Sequence, residues 1–210
     1  MERKVENEDF DPRTIKNIGI SIKKNIITKI VGKISQGKEA SILLCESDFG
    51  YRVMKIYRIE TSHFKRGRKE YINKQTKNEY ELGVSYASKE FKHLMIASKV
   101  INAPTPYYQV GNIIIMEFLG KDGKPFDKLK DIENFDIDDY NTIMKMIDDL
   151  YNAGLVHGDL SEFNILYDNK KFYFIDFGQS VSSKNPKAKE LLERDKQNIK
   201  NFANRFLKNL

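Results

Sequence analysis

Two short apolar runs joined by a polar turn constrain this chain more than anything else in it. Asn164-Ile165-Leu166-Tyr167 and Phe172-Tyr173-Phe174-Ile175 read as β-strands, with the turn formers Asp168-Asn169-Lys170-Lys171 between them. Folding this hairpin about Lys170 sets Asn164 roughly opposite Asp176. Cross-strand neighbours lie about 5 Å apart, so an amide oxygen and a carboxylate there can grip one divalent cation. Asp159 precedes them in the tight loop that feeds the first strand. A loop-borne Asp beside a hairpin-borne Asn/Asp pair is the set that phosphoryl transfer needs. Two oxygen ligands hold Mg2+ on nucleotide phosphates, and a further carboxylate orients the attacking hydroxyl or water.

The remaining parts of such a machine can be sought upstream. Lys55 sits inside the apolar run Val53-Met54-Lys55-Ile56. A buried lysine needs anionic company, although an edge-strand lysine could instead snorkel to water. Glu90 is the natural partner: it falls between Ala87 and Phe91 on the inward edge of a helical segment. A strand lysine paired with a helix glutamate can position α- and β-phosphates. Met116-Glu117-Phe118-Leu119-Gly120 reads as a hinge whose backbone groups at Glu117 and Leu119 would bind adenine. Gly32-Lys33-Ile34-Ser35-Gln36-Gly37-Lys38-Glu39 nearly spells a Walker A motif, but Glu39 stands where a Mg2+-binding Ser or Thr belongs. Residues 40–45 also read as a strand where Walker A demands a helix. The segment fits better as a two-strand flap with Ser35, Gly37 and Lys38 facing phosphates.

Around these parts the chain reads as α+β, with a β-rich half followed by a helical half. Asp11-Pro12 caps and opens a helix through about Asn25. The runs 26–31, 40–45 and 51–57, separated by Gly32, Gly37 and Gly50, predict an antiparallel meander. Residues 60–76 are polar and aperiodic, the pattern of a mobile insertion. Helical spacing returns over 77–99, and two short strands flank Gly111-Asn112. A helix spans Ile137 to Tyr151 before Gly154, and a last one runs from about Pro186 to Leu207. In the last helix, Arg194 and Asp195 are expected to form a structural ion pair, and His157 is expected to anchor its loop.

The charge balance of +6 gathers in His63–Lys69 and in Lys184–Lys208. Such clusters suit a polyanionic partner, or are simply solvated faces. Cys45 is the single cysteine, which excludes an intrachain disulfide and Cys-pair metal sites. The first residues lack the apolar core of a signal peptide, and no apolar run is long enough to span a bilayer. A cytoplasmic protein without a membrane partner is expected.

Taken together, the motifs resemble the RIO kinases, and within them the type-1 branch. The resemblance covers nearly the whole chain. It rests on Ile34-Ser35-Gln36-Gly37-Lys38-Glu39-Ala40, Lys55-Ile56-Tyr57, Lys89-Glu90-Phe91 and Met116-Glu117-Phe118. It rests also on Val156-His157-Gly158-Asp159-Leu160-Ser161-Glu162-Phe163-Asn164, Ile175-Asp176-Phe177-Gly178-Gln179-Ser180-Val181 and Leu192-Glu193-Arg194-Asp195. The resemblance implies a two-lobed kinase-like fold, with a β-rich N-lobe to about residue 116, a hinge at 117–120 and a reduced helical C-lobe from 121. It implies Asp159 as catalytic base, Asn164 and Asp176 as ligands for Mg2+ (or Mn2+), and Lys55 on ATP. It further implies Asp176 as phosphate acceptor, ATP hydrolysis as a conformational timer, and a role on the pre-small ribosomal subunit with its rRNA or proteins.

Two departures from ordinary protein kinases bear on activity. Gly158 replaces the arginine that usually reads a phosphorylated activation loop. From Asp176 to Leu210 the chain is too short for an activation loop plus a peptide-binding subdomain. Self-phosphorylation or ATPase activity is therefore easier to accommodate than attack on exposed peptides. The alternatives are another small kinase-like phosphotransferase, of the antibiotic or tRNA-modification kind, and a ribosome-associated scaffold that binds no nucleotide.

Overall fold

Asp11 starts the first helix, α1 (Pro12–Lys23), by accepting the Arg13 N–H at 2.8 Å, with Pro12 in the first turn. This computed structural model describes residues 10–37, 39–58 and 79–207. The predicted insertion at 60–76, the basic stretch His63–Lys69 and Lys38 lie outside the described residues. The architecture is α+β, as expected, and the described residues divide into two compact units. One draws on Met1–Phe91 and Pro106–Phe118, the other on Lys92–Thr105 and Leu119–Leu210.

In the first unit, β1 (Lys29–Gln36), β2 (Ala40–Ser47) and β3 (Gly50–Tyr57) form the expected antiparallel meander. With β4 (Pro106–Val110) and β5 (Ile113–Glu117) they make a five-stranded sheet of order β1-β2-β3-β5-β4. The first strand lies later than the 26–31 run suggested; Ile27 leaves the sheet and is buried in the core. Period-two alternation places Leu43, Cys45, Met54, Ile56, Ile113 and Ile115 on one face, fully buried with Ile27, and Phe10 and Ile18 pack against them. Each such side chain contributes roughly 1.5–3 kcal/mol of transfer free energy. Burial pushes the Cys45 thiol up to about 12, which keeps it a protonated apolar filler and no nucleophile.

The helix expected over 77–99 is α2 (Glu79–Ala97), with Ala87, Glu90, Leu94 and Ala97 buried along one side. It packs on the opposite face of the sheet, so the inner half of β3, Met54–Tyr57, is buried on both faces. That double cover explains how a lysine comes to lie in the interior.

The second unit is built on α3 (Ile137–Asn152) and α4 (Ala188–Ala203). α3 opens with a capping box between Asp136 and Asp139, and Lys170 reaches both carboxylates at 2.9 and 2.7 Å. Gly154, at φ 91, follows the end of the helix as expected. Phe135, Phe172, Phe202 and Phe206 stack edge-on and tilted in the core, with ring centroids 5.3–6.5 Å apart. The small strands are β6 (Gly120–Lys121), β7 (Lys124–Pro125), β8 (Asp127–Lys128), β9 (Leu155–Val156), β10 (Ile165–Asp168), β11 (Lys171–Phe174) and β12 (Val181–Ser182). β8 adds to the β10–β11 hairpin and β9 pairs with β12. Between Asp176 and α4 the chain makes only a 3-10 turn (Phe177–Gln179) and β12, which leaves no room for an activation loop. Among the described residues no helix is long and apolar enough to cross a membrane.

The hydrogen bond from Arg13 holds the Asp11 carboxyl down to about 2 from its ordinary 3.8. A depressed carboxylate favours the folded state above its unfolded value, and that contribution fades as pH falls toward the folded one. Asp11→Ala should therefore lose about 1 kcal/mol at neutral pH. The gap between the two proteins should close between pH 3.8 and about 2; urea unfolding across that range checks it.

Candidate functional site

Lys55 and Glu90 meet as the strand and helix patterns require. Lys55 Nζ donates to Glu90 Oε1 at 2.8 Å, and the residues are only 6% and 2% exposed. Two charges this deep need every lone pair answered. The second carboxylate oxygen of Glu90 accepts from the Tyr57 hydroxyl. Tyr57 entered the sequence reading only within the Lys55-Ile56-Tyr57 motif, without a role, yet the signal was present: two residues beyond Lys55 in a strand is the same face.

Ser35 lies near the end of β1, and Gly37 follows it in the β1–β2 turn. Ser35 is exposed in β1, in register with Ile42 beside a bulge, and the Gly37 N–H donates to the Ala40 carbonyl at 2.9 Å, closing the turn. Glu117 ends β5 in register with Arg52. Leu119 is buried in the second unit, where its carbonyl accepts the Phe126 N–H at 3.1 Å.

The other candidates cluster in the second unit. The β10–β11 turn is Asn169-Lys170, both at positive φ (45 and 68), between the paired residues Asp168 and Lys171. Its centre therefore lies between Asn169 and Lys170 and not on Lys170. The partner of Asn164 is consequently Ile175, whose N–H donates to the Asn164 carbonyl at 3.0 Å, and the expected Asn164–Asp176 opposition is off by one residue. Asp176 still comes next to that pair. It adopts a left-handed conformation (φ 64, ψ 70) that bends the chain into the 3-10 turn. This conformation costs an ordinary side chain about 1–2 kcal/mol, and Asp tolerates it better than most.

Asn164 also fixes the loop before it: its Nδ2 donates to the Asp159 carbonyl at 2.8 Å. The amide oxygen is then the atom Asn164 can present to a cation. That oxygen and the exposed Asp176 carboxylate are both hard oxygen donors of the kind Mg2+ prefers. The residues fit the metal. Asp159 itself is exposed at the loop.

The loop is shaped from behind by α4. Asp195, 1% exposed, accepts the Gly158 N–H at 2.7 Å and the Leu160 N–H at 2.9 Å. Arg194 donates to the Gly158 carbonyl, and Asn198 to the Leu160 carbonyl at 2.9 Å. Arg194 and Asp195 thus each bind the loop, and the expected pairing of one with the other is corrected. Burial pushes the Asp195 carboxyl up, against the pull of His157 and the two N–H donors. The clue in the sequence was an acid set among Leu191, Leu192, Ile199 and Phe202 on the apolar side of the helix. His157 Nε2 donates to the Ile175 carbonyl at 3.0 Å against Phe177, an anchoring role as expected. Gly158 sits at φ 76, and a Cβ there would meet the Gln179 carbonyl oxygen at 3.0 Å. The arginine of ordinary kinases has no place at this position.

Asp195→Ala strands two backbone donors and should destabilise the fold by about 2–4 kcal/mol. Gly158→Ala should lose about 1–2 kcal/mol through φ alone. Urea denaturation of each variant is the measurement.

Comparison with known proteins falls in line with this geometry. Residues 39–209 match the profile of the RIO domain. The RIO-type serine/threonine-protein kinase Rio1 of Methanocaldococcus jannaschii is 38% identical over 210 residues, covering 96% of this chain and 72% of that protein. Human serine/threonine-protein kinase RIO1 is 33% identical over 207 residues, 92% of this chain but only 36% of the human protein. The crystal structure of a Rio2 kinase–ADP/Mg2+–phosphoaspartate complex from Chaetomium thermophilum superposes with a TM-score of 0.75 at 25% identity. That match covers 94% of this chain and 63% of the other.

Proposed function

Because the chain belongs to the RIO family of atypical serine/threonine kinases, we propose that it is an ATP- and Mg2+-dependent kinase and ATPase of the type-1 branch that phosphorylates itself on Asp176. The observation that carries this reading is the Asp159–Asn164–Asp176 constellation, with its loop tied by Asn164 at one end and by Asp195 behind.

Lys55, held by Glu90, binds the α- and β-phosphates, while Ser35, Gly37 and Lys38 cover the phosphates. The backbone at Glu117 and Leu119 takes the adenine. Asn164 and Asp176 hold the cation, Mg2+ or Mn2+, which when bound neutralises charge on the phosphates. In the transfer an Asp176 carboxylate oxygen bonds to the γ-phosphorus as its bond to the β–γ bridging oxygen breaks, and ADP leaves with that electron pair. Water then cleaves the acyl phosphate, returning the carboxylate and inorganic phosphate. Asp159, exposed at the end of a rigid loop, accepts the proton of the attacking water. The relatives named Rio1 support the branch, and the phosphoaspartate in the Rio2 complex, a property of that protein, supports the acceptor.

The setting is maturation of the small ribosomal subunit in the cytoplasm, supported by the basic stretches His63–Lys69 and Lys184–Lys208.

Asp159→Ala and Asp176→Ala should both abolish ATP turnover while staying folded by circular dichroism. Incubation with γ-labelled ATP should place label on Asp176, released by hydroxylamine. Near-normal hydrolysis by the Asp176 variant would sink the acyl-phosphate step. Neutralising Lys65, Arg66, Arg68 and Lys69 should weaken small-subunit binding and flatten its salt dependence; unchanged binding would remove that stretch from the interface.

A further inference from the structure

Tyr57 touches more of the phosphate-positioning pair than pairing alone requires. Its hydroxyl donates to Glu90 Oε2, its ring lies 5.1 Å from Lys55 Nζ, and it stacks at 6.0 Å on Tyr86, one turn before Glu90 on α2. Strand alternation puts Lys55 and Tyr57 on one face of β3, and the spacing of Gly83, Ala87 and Glu90 puts those residues on the facing side of α2. A Cβ at Gly83 would come within 3.3 Å of Asn112 Cβ and 3.6 Å of Tyr57 Cβ, so α2 seats directly on this point of the sheet.

The backbone of Tyr57 is held just as closely. Its N–H donates to the Asn112 carbonyl, and its carbonyl accepts Asn112 Nδ2, both at 2.9 Å. The same Nδ2 donates to Thr14 Oγ1 on α1 at 2.9 Å, with Thr14 and Asn112 both buried. A second strut joins the two helices: Asn17 Nδ2 donates to the Tyr80 hydroxyl at 2.7 Å, and the Arg13 guanidinium lies 4.0 Å over the Tyr80 ring. The chain of contacts runs α1, Asn112, Tyr57, Glu90, Lys55.

We infer that Tyr57 is a positioning residue that holds Glu90 on Lys55, and that α1, acting through Thr14 and Asn112, is a built-in brace for this pair. The inference rests on the kinase reading of Lys55 and Glu90 and adds to it a third member and a source of rigidity. Glu90 has both oxygens engaged from β3, so swinging α2 away would break two buried bonds at once and leave a desolvated carboxylate. The pair is therefore assembled by folding itself, without a phosphorylated loop to pull the helix in.

Tyr57→Phe keeps the ring and its stack and removes only the hydroxyl. It should weaken Mg·ATP binding by about tenfold, the size of one buried charge-assisted hydrogen bond. It should raise KM more than it lowers kcat, and it should speed amide hydrogen exchange across Glu79–Ala97 without nucleotide. Thr14→Val should show the same signature at smaller size. In a Glu90→Gln background Tyr57→Phe should add little, because both act through one carboxylate. If wild type binds ATP, an unchanged affinity or unchanged α2 exchange in Tyr57→Phe overturns the inference, as does a full tenfold loss in the Glu90→Gln background. A wild type indifferent to ATP whose α2 exchange still responds to Tyr57→Phe would instead overturn the kinase reading and leave the brace standing.

Discussion

The fold of the first unit is arranged around one buried ion pair, Lys55 with Glu90. Removing two charges from water is unfavourable by several kcal/mol per ion, and their mutual attraction offsets that only with well-made hydrogen bonds on the remaining lone pairs. An apolar pair of the same volume would hold a sheet and helix together at least as well. The pair therefore contributes little net stability, and on the proposed reading it serves phosphate binding. Its presence requires β3 to be covered on both faces and the second oxygen of Glu90 to be answered, and α1, α2 and Tyr57 meet those requirements.

The second unit solves a different problem, that of holding an irregular loop still. Residues 157–160 expose backbone donors and acceptors that no strand can satisfy. Asp195, Arg194 and Asn198 present side chains from three positions of one helix, and His157 ties the loop to Ile175. A carboxylate spans two N–H groups, and a guanidinium takes the carbonyl between them. The loop's shape is thus set by side chains outside it, which lets Asp159 stay exposed without being loosely placed.

Much of this was legible in the amino-acid order. The Asp11-Pro12 start, the three-strand meander, the inward edge of α2 and the Lys55–Glu90 partnership follow from capping, alternation and helical spacing. The hairpin was legible in place but not in register, because the turn could be centred on Lys170 or beside it. Only the backbone conformations of Asn169 and Lys170 decide between those choices. The β6–β8 strands are two residues each, too short to leave a period. The partners of Asp195 were hidden for another reason. They are backbone groups far away in sequence, and backbone groups carry no letter.

The placement of Asp195 has a consequence for how the protein comes into being. The loop that carries Asp159 precedes the β10–β11 hairpin, while the acid that shapes it arrives with α4. A nascent chain that has emerged only through Asp176 holds every residue proposed for catalysis yet leaves the Gly158 and Leu160 N–H groups to water. During synthesis the loop is thus complete in residues before it is complete in geometry, which waits for α4 to dock.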